Sequence, residues 1–326
     1  MLDITQLKPL IDRISLSMPF EEFLSVVEKN YPSIGSIIEC APILQGYESA
    51  NFVLTTNRGK FVLKVFETDR DSQNIQDLVK VQIEAQKVGV PVLKFVEGLN
   101  GELSQIQQDT QIVWYFLTHQ FIGSSFEDHY PNLDQMKIVA GYIAKLNTLN
   151  FSISESYDSW GNKNLVKEFD ENIAVIPADV KKKIEHIVEK IRHAQLNELP
   201  KAVVHGDMQR KHVLKDTQDN LCVIDFGCMS YTARIIDLST FIAWFCLCEQ
   251  NYVQWGDILS RVVDVYEDLH KLTIEEKELL FLFVRASYAA YFLKTSLLIQ
   301  GGDQSEETKI WNAQASKMLD LTESFI

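Results

Sequence analysis

Residues 203–227 read VVHGDMQRKHVLKDTQDNLCVIDFG. Two carboxylates, Asp207 and Asp225, each follow a run of apolar, largely β-branched residues that reads as a strand. Between them, short strands are expected around 212–215 and 221–224, so both acids fall on loops. Phosphoryl transfer needs two carboxylates in different roles. One orients or deprotonates the attacking hydroxyl, and the other holds the metal that neutralises charge on the β- and γ-phosphates. His205-Gly206-Asp207 and Asp225-Phe226-Gly227 supply such a pair. Either tripeptide alone is weak, and two ordinary surface turns are the alternative. At this separation, each after an apolar run, the two together are much more specific.

Upstream, the pattern is that of a meander. PFEEFLSVVEKNY predicts a helix with Phe20, Phe23, Leu24, Val27 and Tyr31 on one face. GSIIECAPIL, ANFVLTT, KFVLKVF, VLKFVEG and QIVWYFL then read as five strands, with turns at Asn57-Arg58-Gly59 and Asn100-Gly101. One helix, over 71–89, is inserted among them and stops at Gly89 and Pro91. After residue 120 the periodicity becomes helical, over 132–149, 178–195, 234–248, 252–270, 275–299 and 305–323. The fold class is therefore α+β in two lobes: a five-stranded antiparallel sheet lobe with one main helix over 1–118, and a larger, mainly helical lobe over 119–326.

Lys64 lies inside the apolar strand FVLKVF, where a cation suits an α- or β-phosphate. Spacing alone serves equally well for an outward residue of an alternating strand. Glu84, on the one helix before the next strand, is the candidate to hold that cation, with Glu97 another nearby carboxylate. The turn Gly46-Tyr47-Glu48-Ser49-Ala50 suits backbone N–H groups and a hydroxyl placed over phosphates, although an ordinary hairpin loop fits it too.

Composition narrows the partners. The formal charge of -14, with no basic stripe, argues against a nucleic-acid partner. The acidic balance either serves solubility or favours a cationic ligand. Five cysteines without paired C-x-x-C spacing read as buried thiols. The N-terminal residues lack a secretory pattern, which places the expectation in the cytoplasm. Two apolar runs, 238–248 and 279–298, read as buried helices because the first is short and the second contains Arg285 and Lys294. No membrane insertion is expected.

These motifs resemble the superfamily of aminoglycoside phosphotransferases, choline kinases and type II homoserine kinases, whose fold is similar to that of protein kinases. The resemblance covers most of the chain. It implies an ATP-dependent small-molecule kinase, with GTP as the alternative nucleotide and Mg²⁺ or Mn²⁺ as the metal. Asp207 would be the catalytic base, Asp225 the metal ligand, Lys64 the phosphate-contacting cation and Glu84 its partner. Ser49 and Asn51 would fall in the phosphate-loop region, and the hinge, about 118–123, would offer adenine the backbone around Gln120 and Ile122. Asp237 matches a family aspartate that is usually structural.

The chain departs from the family at the position five residues after Asp207. His212 stands where the family has Asn, offering nitrogen where Mg²⁺ prefers oxygen and Mn²⁺ is more tolerant. Gln209 replaces a frequent His, Arg210 and Lys211 replace small residues, and Asn147 stands where a Leu-His pair commonly ends the preceding helix. A nucleotide-binding pseudokinase or regulatory module, its second metal site impaired by His212, is the alternative function. A structural protein with chance motifs is a third. The acceptor is read as a small hydroxylated molecule: aminoglycoside-like, an amino alcohol, a sugar or a hydroxylated amino acid. Glu127, Asp128, Glu249 and Asp264 are candidates to meet a cationic acceptor, or are plain solvated carboxylates. Trp160, Trp244 and Trp255 either line its pocket or pack in the core.

Overall fold

The computed structural model describes residues 4–44, 49–108, 111–127, 129–154, 157–194 and 196–325. In chain order the first elements are α1 (Ile4–Arg13), α2 (Phe20–Asn30), β1 (Ile37–Ile43), β2 (Ser49–Thr56), β3 (Gly59–Phe66), α3 (Ser72–Lys87), β4 (Leu103–Gln108), β5 (Gln111–His119) and β6 (Ser124–Ser125). There follow α4 (Leu133–Leu146), α5 (Leu165–Asn172), α6 (Ala178–His193), β7 (Lys201–Val204), β8 (Val213–Lys215), β9 (Leu221–Val223) and β10 (Ser230–Ala233). The last helices are α7 (Ile235–Phe241), α8 (Trp255–Glu267), α9 (Ile274–Gln300) and α10 (Glu306–Phe325). They form two compact units. A sheet unit comprises Met1–Glu84, Pro91–Ser124 and Lys215–Gly227; a helical unit comprises Ala85–Val90, Ser125–Leu214 and Cys228–Ile326.

In the sheet unit, five antiparallel strands run in the order β1-β2-β3-β5-β4. Strand alternation gives the sheet two chemically distinct faces. Phe52, Leu54, Leu63, Val65, Tyr115 and Leu117 are buried in one core with Phe20, Phe23, Leu24 and Val27 of α2 and Leu7 and Leu10 of α1. Phe20 meets Phe52 with ring centroids 5.0 Å apart, and Phe23 meets Tyr115 at 5.2 Å. The helical face predicted for 19–31 is therefore the face that is buried. α1 was not anticipated from the sequence.

The fourth strand is not the one expected. VLKFVEG forms only isolated bridges, from Val92 to Val223, Phe95 to Thr118 and Gly98 to Gly101. Pro91 at its start has no N–H to give a ladder. The strand that completes the sheet is β4, LSQIQQ, paired with β5 from Leu103↔Phe116 to Gln108↔Gln111. Its polar composition belongs to an edge position, where a strand has one partner and needs few apolar side chains.

In the helical unit, α4 and α9 begin at reciprocal capping boxes, Asn132 with Gln135 and Thr273 with Glu276. Glu276, fully buried, also receives two 2.8 Å hydrogen bonds from the Arg234 guanidinium, which ties the start of α9 to the residue before α7. The helix expected over 234–248 instead passes from α7 into a π-helical turn over Ile242–Cys246. α9 is long and apolar enough to cross a membrane, but 72% of its most apolar window is buried within the protein. Cys40, Cys222, Cys246 and Cys248 are buried free thiols, whereas Cys228 is half-exposed.

Candidate active site

The sheet unit presents one group of candidates by strand register. Asn51 of β2 lies directly opposite Lys64 of β3. Opposed residues share a face, and Ser49, two positions earlier, shares it too. The Asn51 amide donates to Ser49 Oγ at 3.4 Å. Lys64 belongs to the face opposite the Leu63 and Val65 core positions, which is why a cation can occupy an apolar strand. Gly46, Tyr47 and Glu48 of the expected phosphate loop lie outside the described residues.

A carboxylate set against Lys64 is that of Asp225: Lys64 Nζ is 3.8 Å from Asp225 Oδ1. The Lys64 side chain is 16% exposed and that of Asp225 43%, so the pair is anchored on one side and open on the other. Asp225 has φ +63°, a left-handed conformation that Asp adopts more readily than most residues and that clusters at functional sites. Glu84 lines a cavity of about 300 Å³ with Lys80, Asn100 and Glu102. Sequence picked Glu84 only as the carboxylate on the one helix before the next strand. Asp77, two turns earlier, is 7% exposed; its burial follows the same helical stripe as Asn74 and Val81. In the hinge segment the Gln120 N–H donates to the Lys60 carbonyl at 3.3 Å, and Ile122 is 79% exposed.

The helical unit holds the second group. Asp237, fully buried, accepts the backbone N–H groups of His205 and Gly206, both at 2.9 Å, and the Asn147 amide at 3.2 Å. Burial pushes the Asp237 carboxyl up from its ordinary range, while these donors and His205 pull against that rise. The Asp207 N–H donates to His205 Nδ1 at 3.2 Å. Gly206 has φ +83°, and a Cβ there would overlap the Cys228 carbonyl oxygen. Together these contacts fix the turn that carries Asp207.

Around the Asp207 carboxylate, Gln209 Nε2 donates to Oδ1 and also to the Tyr291 hydroxyl, the latter at 2.7 Å. His212 Nδ1 lies 2.8 Å from the Asp207 backbone carbonyl and 3.3 Å from its Oδ2. A carbonyl oxygen only accepts, so His212 carries a proton on Nδ1, and its neutral form has the lone pair on Nε2. Tyr291 is pushed above the ordinary phenol range by burial first and by the nearby Asp207 charge second.

The sequence model of the phosphotransferase enzyme family matches residues 39–268. The chain belongs to that family. The resemblance read from its motifs holds, as does the two-lobed α+β fold class. The homoserine kinase of Zymomonas mobilis is 20% identical over 274 residues, covering 81% of this chain and 82% of that protein. Among solved structures, an amicoumacin kinase in complex with AMP-PNP and Ca²⁺ superposes with a TM-score of 0.67 at 16% identity, over 94% of both chains. A microcompartment-associated aminopropanol kinase gives 0.65 at 14% identity, over 93% of this chain and 97% of that one.

Beside the Asp207 turn, the phosphotransferase has a cavity of about 340 Å³ in its helical unit, lined by Glu127, Gln209, Arg210, Lys211, Trp244 and Trp311 among others. Of the tryptophans singled out from sequence, Trp244 thus faces a cavity. Trp255 is core, fully buried with its indole N–H donating to the Cys248 carbonyl at 3.0 Å. Trp160 packs on Tyr291 with ring centroids 5.1 Å apart. Glu249 pairs with Lys317 at 3.1 Å, Asp264 is exposed, and Asp128 lies outside the described residues.

Proposed function

We propose that this phosphotransferase moves the γ-phosphoryl group of ATP to a hydroxyl of a small molecule, with Asp207 as the base. GTP is the alternative donor. The observation that carries the reading is the Lys64–Asp225 pair, a half-open cation and carboxylate on a sheet face shared with Ser49 and Asn51. Lys64 would meet donor phosphate oxygens, with Ser49 and Asn51 beside it; the backbone around Gln120 and Ile122 would meet adenine.

Among the described residues, no three His, Cys, Asp or Glu side chains converge as a metal cage. The partly exposed Asp225 carboxylate fits Mg²⁺, which keeps its waters and is held by one or two carboxylates together with substrate phosphates. Asp225 would hold it, with His212 as a further ligand that favours Mn²⁺. When bound, the metal supplies charge neutralisation on the transferring phosphates. Asp207 accepts the proton of the acceptor hydroxyl as its oxygen bonds to the γ-phosphorus. The bond from that phosphorus to the β–γ bridging oxygen breaks, giving ADP and a phosphate monoester. Gln209 and the backbone clamp at Asp237 hold the carboxylate in place throughout.

Thermal unfolding with ATP or GTP and Mg²⁺ or Mn²⁺ tests the reading without any acceptor. A ligand at a hundredfold excess over its Kd stabilises the native state by about 2.7 kcal/mol. The wild type is expected to show a nucleotide- and metal-dependent rise in Tm that Asp225→Ala lacks. An identical rise in Asp225→Ala would remove the metal role, and no rise with any nucleotide up to millimolar concentration would remove the function.

A further inference from the structure

The cavity beside Asp207 has an unusual charge distribution for a protein of formal charge -14. Two cations, Arg210 and Lys211, and two carboxylates, Glu127 and Glu307, line it, so its own charge is balanced. The two signs are not mixed. Arg210 is 9% exposed, while Glu127 and Glu307 are exposed. The Arg210 guanidinium stacks over the Tyr130 ring at 4.5 Å but makes no hydrogen bond or ion pair among the described residues. A buried guanidinium offers five donors, and leaving them unsatisfied is costly. Lys211, half-exposed, approaches the Trp311 ring at 5.7 Å. The buried indole Nε1–H of Trp244, another lining residue, has no acceptor among the described residues. Two cations therefore line one cavity, and the buried one has no protein acceptor among the described residues.

We infer that Arg210, Lys211 and Trp244 form a carboxylate-binding subsite, and that the acceptor is a small hydroxylated amino acid or similar zwitterion. Its carboxylate meets the buried donors and its ammonium meets Glu127 and Glu307. This rests on the phosphotransfer reading above and narrows it, because amino alcohols and aminoglycosides bring no anion to satisfy Arg210. Gln209 joins the two regions: it lines the cavity and donates to Asp207 Oδ1. A carboxylate held at Arg210 thus places the rest of the acceptor toward the base.

Trp244 and Trp311 make the test independent of turnover, since a ligand in this cavity perturbs indole fluorescence. Homoserine would be titrated against 3-amino-1-propanol, which is homoserine without its carboxylate, 4-hydroxybutyrate, which lacks the amine, and inorganic phosphate. Homoserine is expected to give a saturable change at least about tenfold tighter than 3-amino-1-propanol, the loss for one charged hydrogen-bonded group. Arg210→Met should weaken homoserine by a similar factor while leaving the nucleotide-dependent Tm rise intact. Should Arg210→Met fail to fold, the half-exposed Lys211→Met carries the same comparison. Equal binding of homoserine and 3-amino-1-propanol, no saturable response to homoserine, or a response to phosphate alone would overturn the subsite. Loss of the nucleotide effect in the wild type would instead sink the phosphotransfer reading, leaving the fluorescence result to judge the subsite by itself.

Discussion

His212 donates its Nδ1–H to the carbonyl of Asp207, so the same side chain that departs from the family pattern also braces the loop carrying Asp207. Asn at this position would present a carbonyl oxygen, the harder donor that Mg²⁺ favours. His212→Asn is expected to raise the ratio of Mg²⁺- to Mn²⁺-supported activity by about five- to tenfold, read from initial rates across a metal titration. An unchanged ratio would mean that the ring acts only as a brace. Asp207 and Asp225 were legible in the sequence because polar residues after apolar strands stand out. The hydrogen bond from Asn147 to Asp237, across 90 residues, and the Gln209–Tyr291 contact, across 82, were not. Tyr291 sits in an apolar helix where an aromatic residue reads simply as core.

At the scale of elements, apolar periodicity found four of the five sheet strands and the longer helices, though not α1 or α5, and it chose VLKFVEG over the polar edge strand β4. An edge strand leaves one side of its ladder unpaired and tolerates glutamine where a central strand needs valine, so its hydropathy signal is weak. The π turn after α7 was also invisible, because one extra residue per turn does not alter an all-apolar stretch. The Arg234–Glu276 pair is the best-defined tie between elements of the helical unit. Removing one member strands the other charge in the interior, at a cost of about 3 kcal/mol. Glu276→Ala is expected to lower unfolding free energy by roughly that amount in urea titrations, with Glu276→Gln, which keeps the cap geometry, losing less. A Glu276→Ala change of under about 0.5 kcal/mol would show that water replaces the pair.

Over the whole molecule, acid sensitivity should begin with histidines before carboxylates. His186 is held below its ordinary value of 6.5 by burial and by Arg285, and His270 by burial and by Arg234. Their folded forms bind protons less readily than the unfolded chain, so stability is complete above about pH 6.5 and falls as pH drops through the lowered folded values. Tm should therefore decline between pH 7 and 5, and the double variant His186→Gln/His270→Gln should show a shallower decline; parallel curves would assign the loss elsewhere. The division of the chain carries a separate consequence. Lys215–Gly227, with Asp225, belongs to the sheet unit although 90 residues of the helical unit, Ser125–Leu214, precede it in the chain. During synthesis, the ribosome must therefore release some two thirds of the polypeptide before that unit owns Asp225, and no gene truncation near residue 124 can yield the sheet unit complete with that carboxylate.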